Sequence, residues 1–143
     1  MTLNRMQTVT PFLNTLTTHG LTLLRSKTTT LQINVGLMCN QTCRHCHLDA
    51  GPHRNEMMSR ETMEQVVEFA TRGNFQIIDI TGGAPELHPG IEDFVEQLTP
   101  LAPTVMFRAN LTALMQKGES LLQVLTSCKT NIVASFPSLN ELQ

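Results

Sequence analysis

The sequence carries little charge, and what it has is not concentrated. Charged residues are 15% of the 143 and the net charge is −2. No basic stripe is present, so a nucleic-acid partner is not expected. No apolar run approaches the roughly 20 residues needed to cross a bilayer, which removes a membrane helix from the expectations. The first ten residues lack the apolar stretch of a secretory signal. No Asp or Glu occurs before Asp49, and the segment is rich in threonine. That composition faintly resembles an organelle transit peptide, and a polar leader is the simpler reading. The four cysteines do not read as a disulfide framework, because Cys43 and Cys46 are too close in sequence to staple distant parts. A chain of this length also buries one real core without staples. A reducing, cytoplasmic setting with metal-bound thiolates is the expectation.

What is present is a dense cysteine segment. Cys39, Cys43 and Cys46 follow a C-x3-C-x2-C spacing, while Cys128 stands alone. An ordinary fold has no need of three thiols that close together, but a loop offering three thiolates to one compact metal centre does.

The surrounding pattern predicts a scaffold of alternating strands and helices. Residues 1–30 are weakly patterned and read as an N-terminal cap or leader, with a short helix near Phe12, Leu13 and Leu16 and a turn at Gly20. Leu31, Ile33, Val35 and Leu37 alternate with Gln32, Asn34 and Gly36, which predicts a strand running straight into the cysteines. Ser59 is a candidate N-cap for a helix with Met63, Val66, Val67 and Ala70 on one face, and Gly73 is placed as its terminal glycine. A second strand over 75–81 ends at Gly82-Gly83-Ala84-Pro85-Glu86. Ile91, Phe94, Val95 and Leu98 mark a second helix. A third strand spans 104–110, Leu121, Leu122 and Leu125 mark a third helix, and a fourth strand spans 131–136. This β-α-β-α-β-α-β order predicts a parallel sheet with right-handed crossovers.

Strands covered on both faces are normally apolar on both. Here the second face would carry Gln32, Asn34, Asp79, Thr81, Arg108, Asn110 and Ser135. A polar concave interior accounts for that, so the expected fold class is α/β, a partial (β/α) barrel of parallel strands, truncated after about four strands. Chemistry in such barrels lies at the carboxyl ends of the strands, where both the cysteine loop and Gly82-Gly83 fall. Residues 31–143 are therefore taken as the core domain.

Three chemistries compete for the loop. Structural zinc wants four ligands, which His45 or His47 could complete, but its ligands usually come as two separated pairs and no second pair exists here. Cys43-Arg44-His45-Cys46-His47 also spells the C-x-x-C-H of covalent haem attachment. That reading leaves Cys39 unexplained and predicts a small helical fold. A [4Fe-4S] cluster with three cysteine ligands leaves one iron open to a small molecule.

C-x3-C-x2-C after the first strand of a β/α barrel resembles the radical S-adenosylmethionine (SAM) enzymes. The resemblance implies Cys39, Cys43 and Cys46 as ligands of a [4Fe-4S] cluster, with SAM as the second cofactor. In that family the open iron chelates SAM's amino and carboxylate groups, and an electron from the cluster releases a 5′-deoxyadenosyl radical. His45 takes the place where many members have an aromatic residue near the adenine. Gly82-Gly83 resembles the family's Gly-Gly-Glu element that holds the SAM amino group. Glu86 stands two residues further along than that element's glutamate, and the alternative for it is a solvated loop acid. The resemblance also implies a small-molecule substrate and a reductant for the cluster.

Longer strings carry a narrower resemblance, to the arsenosugar-biosynthesis radical SAM proteins. They are Thr30 to Leu37, Cys39-Asn40-Gln41 through Cys46-His47, Asp49-Ala50-Gly51-Pro52, Asp79 to Leu87, Asn110-Leu111-Thr112 and Ala134-Ser135. That group is expected to add the deoxyadenosyl radical to a trivalent methylated arsenical. The present sequence departs from it in having Ala109 and Ser138 where that family has cysteines, thiols being soft ligands suited to arsenic. Members of the family are also longer. Ending after a fourth strand would leave an open sheet edge, marginal stability and room for a second chain to complete the barrel. The alternative from a different class is a non-catalytic remnant or metal-binding module.

The remaining residues carry blander expectations. Cys128 reads as a buried small apolar side chain, Met38, Met57 and Met58 as filler, and His53 and His88 as exposed. Asp79 and Arg108 either meet substrate or pair with each other.

Overall fold

The computed structural model describes residues 10–134. Four strands form a single sheet in the order β1-β2-β3-β4, and every neighbouring pair is parallel. The strands are β1 (Thr30–Asn34), β2 (Ile77–Thr81), β3 (Thr104–Ala109) and β4 (Asn131–Ala134). Helix α1 (Phe12–Thr18) precedes them and buries none of its residues. Helices α2 (Arg60–Gly73) and α3 (Ile91–Leu98) make the first two crossovers. The expected α/β fold, part of a barrel with parallel strands, is what the chain adopts.

The alternation seen in the sequence sorts the two faces. Ile33, Ile78, Ile80, Val105 and Phe107 turn to one side and are buried together with Met63 and Ala70 of α2 and Ile91, Phe94, Val95 and Leu98 of α3. Burying a side chain of this kind contributes about 1.5–3 kcal/mol, so this one contiguous cluster is the main source of stability. Gln32, Asp79 and Arg108 occupy the alternate positions and form the polar face. In register, Gln32 pairs with Asp79 and Ile33 with Ile80, so like faces stack on like across the strands.

The chain departs from its sequence pattern in three places. The third crossover is two helices, α4 (Leu111–Lys117) and α5 (Glu119–Ser127), where one was expected. Leu121 and Leu125 of α5 are buried, but Leu122 is 41% exposed and lies off the stripe. The left-handed residue closing α2 is Asn74 (φ 47°), and Gly73 is the last helical residue. Asn tolerates that conformation, whereas Gly73 is needed because a Cβ there would run into the Phe75 ring. Ser59 caps α2 as expected, its hydroxyl accepting from the Thr62 amide at 3.2 Å. The expectations for Ser135 and Ser138 lie outside the described residues.

Candidate cofactor site at the carboxyl ends of the strands

The cysteine segment leaves β1 and is stitched down on both sides. On one side it meets its own return path. Leu37 N donates to Glu56 O (2.9 Å), Cys39 N to Gly51 O (3.3 Å), Gly51 N to Leu37 O (3.2 Å) and Met58 N to Val35 O (2.9 Å). On the other side it meets the turn after β2, where Gly83 N donates to Gly36 O (2.9 Å) and Ala84 N to Met38 O (2.8 Å). The glycines permit this approach. A Cβ at Gly83 would lie 2.6 Å from Met38 O and 2.8 Å from Leu37 O, and one at Gly36 would lie 2.5 Å from Glu56 O. Arg54 secures the far end. Its guanidinium donates to the Asp49 carbonyl (2.9 Å) and grips Glu56, with Nη2 2.7 Å from Oε1. The hydrogen bond from Arg54, first among several causes, holds the Glu56 carboxyl down at about 2.

All three loop cysteines are free thiols, Cys39 buried and Cys43 and Cys46 half-buried. Cys39 and Cys46 share a small apolar cluster with Ala50, Ala84 and Ala113. Their sulfurs attract N–H donors. Gln41 N and the Asn110 side-chain amide each donate to Cys39 Sγ at 3.4 Å, and Ala50 N donates to Cys46 Sγ at 3.4 Å. Among the described residues, no three His, Cys, Asp or Glu side chains are drawn together as around a single ion. The corners of an iron–sulfur cube hold their thiolates further apart than one zinc holds its ligands. Three thiols on one tethered loop are the donor set that a cluster with one open iron takes. Likewise, the four-stranded parallel sheet is not the small helical fold that haem attachment implied. His45 and His47 are both exposed beside the thiols.

A second polar group, which the sequence reading did not single out as a site, pins the loop to β3 and α4. Asn110 follows β3 and caps α4, its Oδ1 accepting from Thr112 N at 3.2 Å. Its Nδ2 also donates to Asn40 Oδ1 at 2.8 Å. Asn40 in turn donates through Nδ2 to Gln116 Oε1 (2.9 Å) and Thr112 Oγ1 (3.3 Å). The sequence marked Asn110 by its polar face and the Asn-Leu-Thr string and Asn40 by its place beside Cys39, but nothing in it joins the two across seventy residues.

Two acidic residues differ sharply from each other. Glu86, in the short 3-10 turn Pro85–Leu87, is wholly buried, so it is not the solvated loop acid of the alternative reading. Among the described residues neither carboxyl oxygen completes a hydrogen bond of good geometry. Burial raises its pKa from the ordinary 4.5 to about 7, with the nearby amides of Glu86 and Asn110 pulling partly back. Close by, the carbonyls of Gly82 and Gly83 accept no hydrogen bond among the described residues. Asp79 is also buried, on the polar face, but it is fully answered by Arg108 and by Gln32 Nε2 at 2.9 Å. Burial pushes its pKa up, but the hydrogen bonds and charge of those partners outweigh it and the net shift is downward. Asp79 and Arg108 thus pair with each other.

The remaining sequence expectations divide. His88 is buried, not exposed, because Gly90 N donates to its Nδ1 (3.1 Å) and Nε2 bonds Met58 O (2.8 Å). His53 is exposed as expected. Cys128 is half-buried against the main core.

Comparison with known proteins gives a consistent picture. The family model described as the radical SAM superfamily matches residues 33–141. A Pyrococcus horikoshii protein named "Probable GTP 3',8-cyclase" is 25% identical over 125 residues, covering 80% of this chain and 40% of its own. The GTP 3',8-cyclase of Thermodesulfovibrio yellowstonii is 36% identical over 73 residues, 48% of this chain and 22% of its own. A Bacillus subtilis protein whose name assigns it to peptide biosynthesis is 29% identical over 83 residues, 57% of this chain and 26% of its own. The chain thus spans 40% or less of the length of these curated relatives.

Proposed function

Because the chain belongs to the radical SAM superfamily, whose cofactors are a [4Fe-4S] cluster and SAM, we propose that Cys39, Cys43 and Cys46 are the cluster's ligands. The observation that carries this is the loop itself: three free thiols on one segment, tethered to the Gly82-Gly83 turn, two of them already accepting N–H groups. Held by these thiols, such a cluster would supply the electron for reductive cleavage of SAM to methionine and a 5′-deoxyadenosyl radical.

The chain's own residues orient the second cofactor. The carbonyls of Gly82 and Gly83, without hydrogen-bond partners among the described residues, are acceptors suited to the SAM ammonium, and the buried Glu86 carboxyl would join them if the turn opens toward it. Glu86 needs such a donor, since an unpaired buried carboxyl is costly. His45, exposed beside the thiols, is the flat group against which the adenine packs. The polar face floored by Gln32, Asp79 and Arg108 is where a small-molecule substrate would lie. Residues 31–143 act as the core domain and 1–30, whose helix α1 buries none of its residues, as its leader. A reductant delivers the electron, and a second chain could pair with β4, the outer strand among the described residues. Among the described residues no helix is long and apolar enough to cross a membrane.

The substrate suggested by the longer sequence strings is a trivalent methylated arsenical, with arsenosugar-type biosynthesis as the setting. Ala109 is buried at the end of β3 and brings no thiol to that reaction, so arsenic would be held without it. A non-catalytic metal-binding module is the competing reading, and it shares the same loop.

Anaerobic reconstitution with iron and sulfide tests the proposal. About four irons per chain, a broad absorbance near 400 nm, their loss in Cys43→Ala and their retention in Cys128→Ala are expected. With a low-potential reductant and SAM, 5′-deoxyadenosine should accumulate. A cluster without deoxyadenosine favours the non-catalytic module, and a colourless, zinc-loaded chain ends both the cluster reading and the enzyme. Supplying a trivalent methylated arsenical and finding no arsenic–deoxyadenosyl product would remove that substrate alone.

A further inference from the structure

We propose that Asn110 is a positioning residue for the metal centre. Its side-chain amide ties Cys39 Sγ to Asn40 and thereby sets both the placement of the loop and the reduction potential of the cluster. This rests on the cluster reading above.

The amide of Asn110 is fully used, and in one orientation only. A primary amide has two N–H donors and two acceptor positions on oxygen. Nδ2 donates to Cys39 Sγ (3.4 Å) and to Asn40 Oδ1 (2.8 Å), while Oδ1 accepts from Thr112 N (3.2 Å) and Thr112 Oγ1 (2.8 Å). Rotating the amide by half a turn would set its oxygen against Asn40 Oδ1 and its NH2 against the Thr112 amide, so the donors must face the cysteine loop.

Helix capping accounts for only half of these contacts. An N-cap requires the oxygen, which Ser or Asp supplies as well as Asn. The half that capping leaves unexplained is the NH2 group, and it is spent on a candidate cluster ligand and on the residue beside it. Asn40 is held in turn by Thr112 and Gln116 of α4. The whole arrangement fastens one end of the cysteine loop to the β3–α4 junction.

A hydrogen bond to a ligand sulfur favours the more negative, reduced state of an iron–sulfur centre and so raises its potential. The three thiols are unequal in this respect. Among the described residues Cys39 Sγ accepts two N–H groups, Cys46 Sγ one and Cys43 Sγ none. Of the donors, only the one from Asn110 comes from a side chain, so only it can be removed by substituting a residue outside the loop.

The test compares Asn110→Ser with the parent chain after anaerobic reconstitution. Serine is neutral, still caps α4 and is too short to reach Cys39. Iron per chain and the cluster midpoint potential are the readouts, neither of which needs turnover. A shift of the potential to more negative values at unchanged iron is expected. Asn110→Asp, which keeps the cap but replaces the donor by a charge, should shift it further. Gln116→Ala, at the outer end of the network, should leave the potential at the parent value. Loss of the cluster from Asn110→Ser with parent-like circular dichroism and urea midpoint would uphold the positioning role. If the serine chain does not fold, the aspartate variant decides by the same criteria. Parent iron and parent potential in the variant would overturn the proposal and leave the cluster reading intact. A parent chain that takes up no iron and sulfide would overturn the cluster reading before any variant is measured.

Discussion

Arg108 grips Asp79 across the polar face with two nitrogens, Nε 2.9 Å from Oδ1 and Nη2 2.9 Å from Oδ2. The Asp79 side chain is 6% exposed and that of Arg108 is 45% exposed. The carboxylate is therefore desolvated on an open sheet face and depends on its partners. Removing one partner of a fully buried pair costs roughly 3–5 kcal/mol, because the other charge is stranded. With the guanidinium half in water and Gln32 still bonded, Arg108→Leu should cost about 2 kcal/mol, read as a lower urea midpoint. The folded pKa of Asp79 is depressed, so the stability it contributes is present above its unfolded value, about 3.9. That contribution fades as pH falls below 4, and Asp79→Asn should flatten this part of the acid profile.

Glu86 has the opposite sign. Its folded pKa of about 7 lies above the ordinary 4.5. Below pH 4 both states are protonated and the group contributes nothing. Between about 4.5 and 7 the unfolded chain releases the proton and the folded chain keeps it, so stability falls as pH rises through that window. At pH 8 the accumulated penalty is about 3 kcal/mol. Glu86→Gln should recover much of it at pH 8 and none at pH 4. A urea-midpoint profile that stays parallel to the parent's from pH 4 to 8 would show the carboxyl to be answered by a donor. If SAM's ammonium meets this carboxyl, adding SAM to the reconstituted chain should stabilise the parent more than Glu86→Gln.

What was legible in the sequence was whatever depends on local pattern. Leu31, Ile33 and Val35 announced a strand with one buried face, Ser59 announced a helix start, and three thiols in eight residues announced the loop. What stayed hidden depends on distant partners. Helix α4 was missed because it buries only Ala113 and Leu114, too short a stripe to register as a period. Asn74 took the left-handed position that Gly73 was expected to fill, since the demand on Gly73 comes from the Phe75 ring beside it. Asn40 looks like an ordinary loop residue until α4 is placed against it, and Glu86, noted for its place after Gly82-Gly83, gave no sign in the sequence of its complete burial.

The Gly82-Gly83 turn supports a packing prediction distinct from ligand binding. A methyl at Gly83 would meet two backbone carbonyls, Met38 O at 2.6 Å and Leu37 O at 2.8 Å, together with Ala50 Cβ at 2.9 Å. Backbone cannot rotate away as a side chain can, so the cysteine loop must lift from the turn. Gly83→Ala should cost about 1–3 kcal/mol as an overpacked site and lower the iron bound on reconstitution. Gly20→Ala is the control. Its Cβ would meet nothing within 4 Å, so the strain of its positive φ stays local to the turn after α1 and iron uptake should match the parent.

His88 and His53 make the last comparison, because the sequence treated them alike. His88 closes two contacts at once. Its Nδ1 accepts from Gly90 N just ahead of α3, and its Nε2, which then carries the proton, donates to Met58 O on the path returning from the cysteine loop. Met58 N is itself bonded to Val35 O, so this imidazole connects the start of α3 to the base of the loop. His88→Leu keeps much of the buried volume but leaves a half-buried N–H and a half-buried carbonyl without partners, each costing about 1–3 kcal/mol. A loss of about 3 kcal/mol in urea unfolding is expected, with slower cluster assembly because the loop base is no longer held. His53→Leu, at an exposed position, should change the midpoint by less than about 0.5 kcal/mol. Equal effects of the two substitutions would mean that His88 does not bridge α3 to the loop, and that its burial is only a matter of filling space.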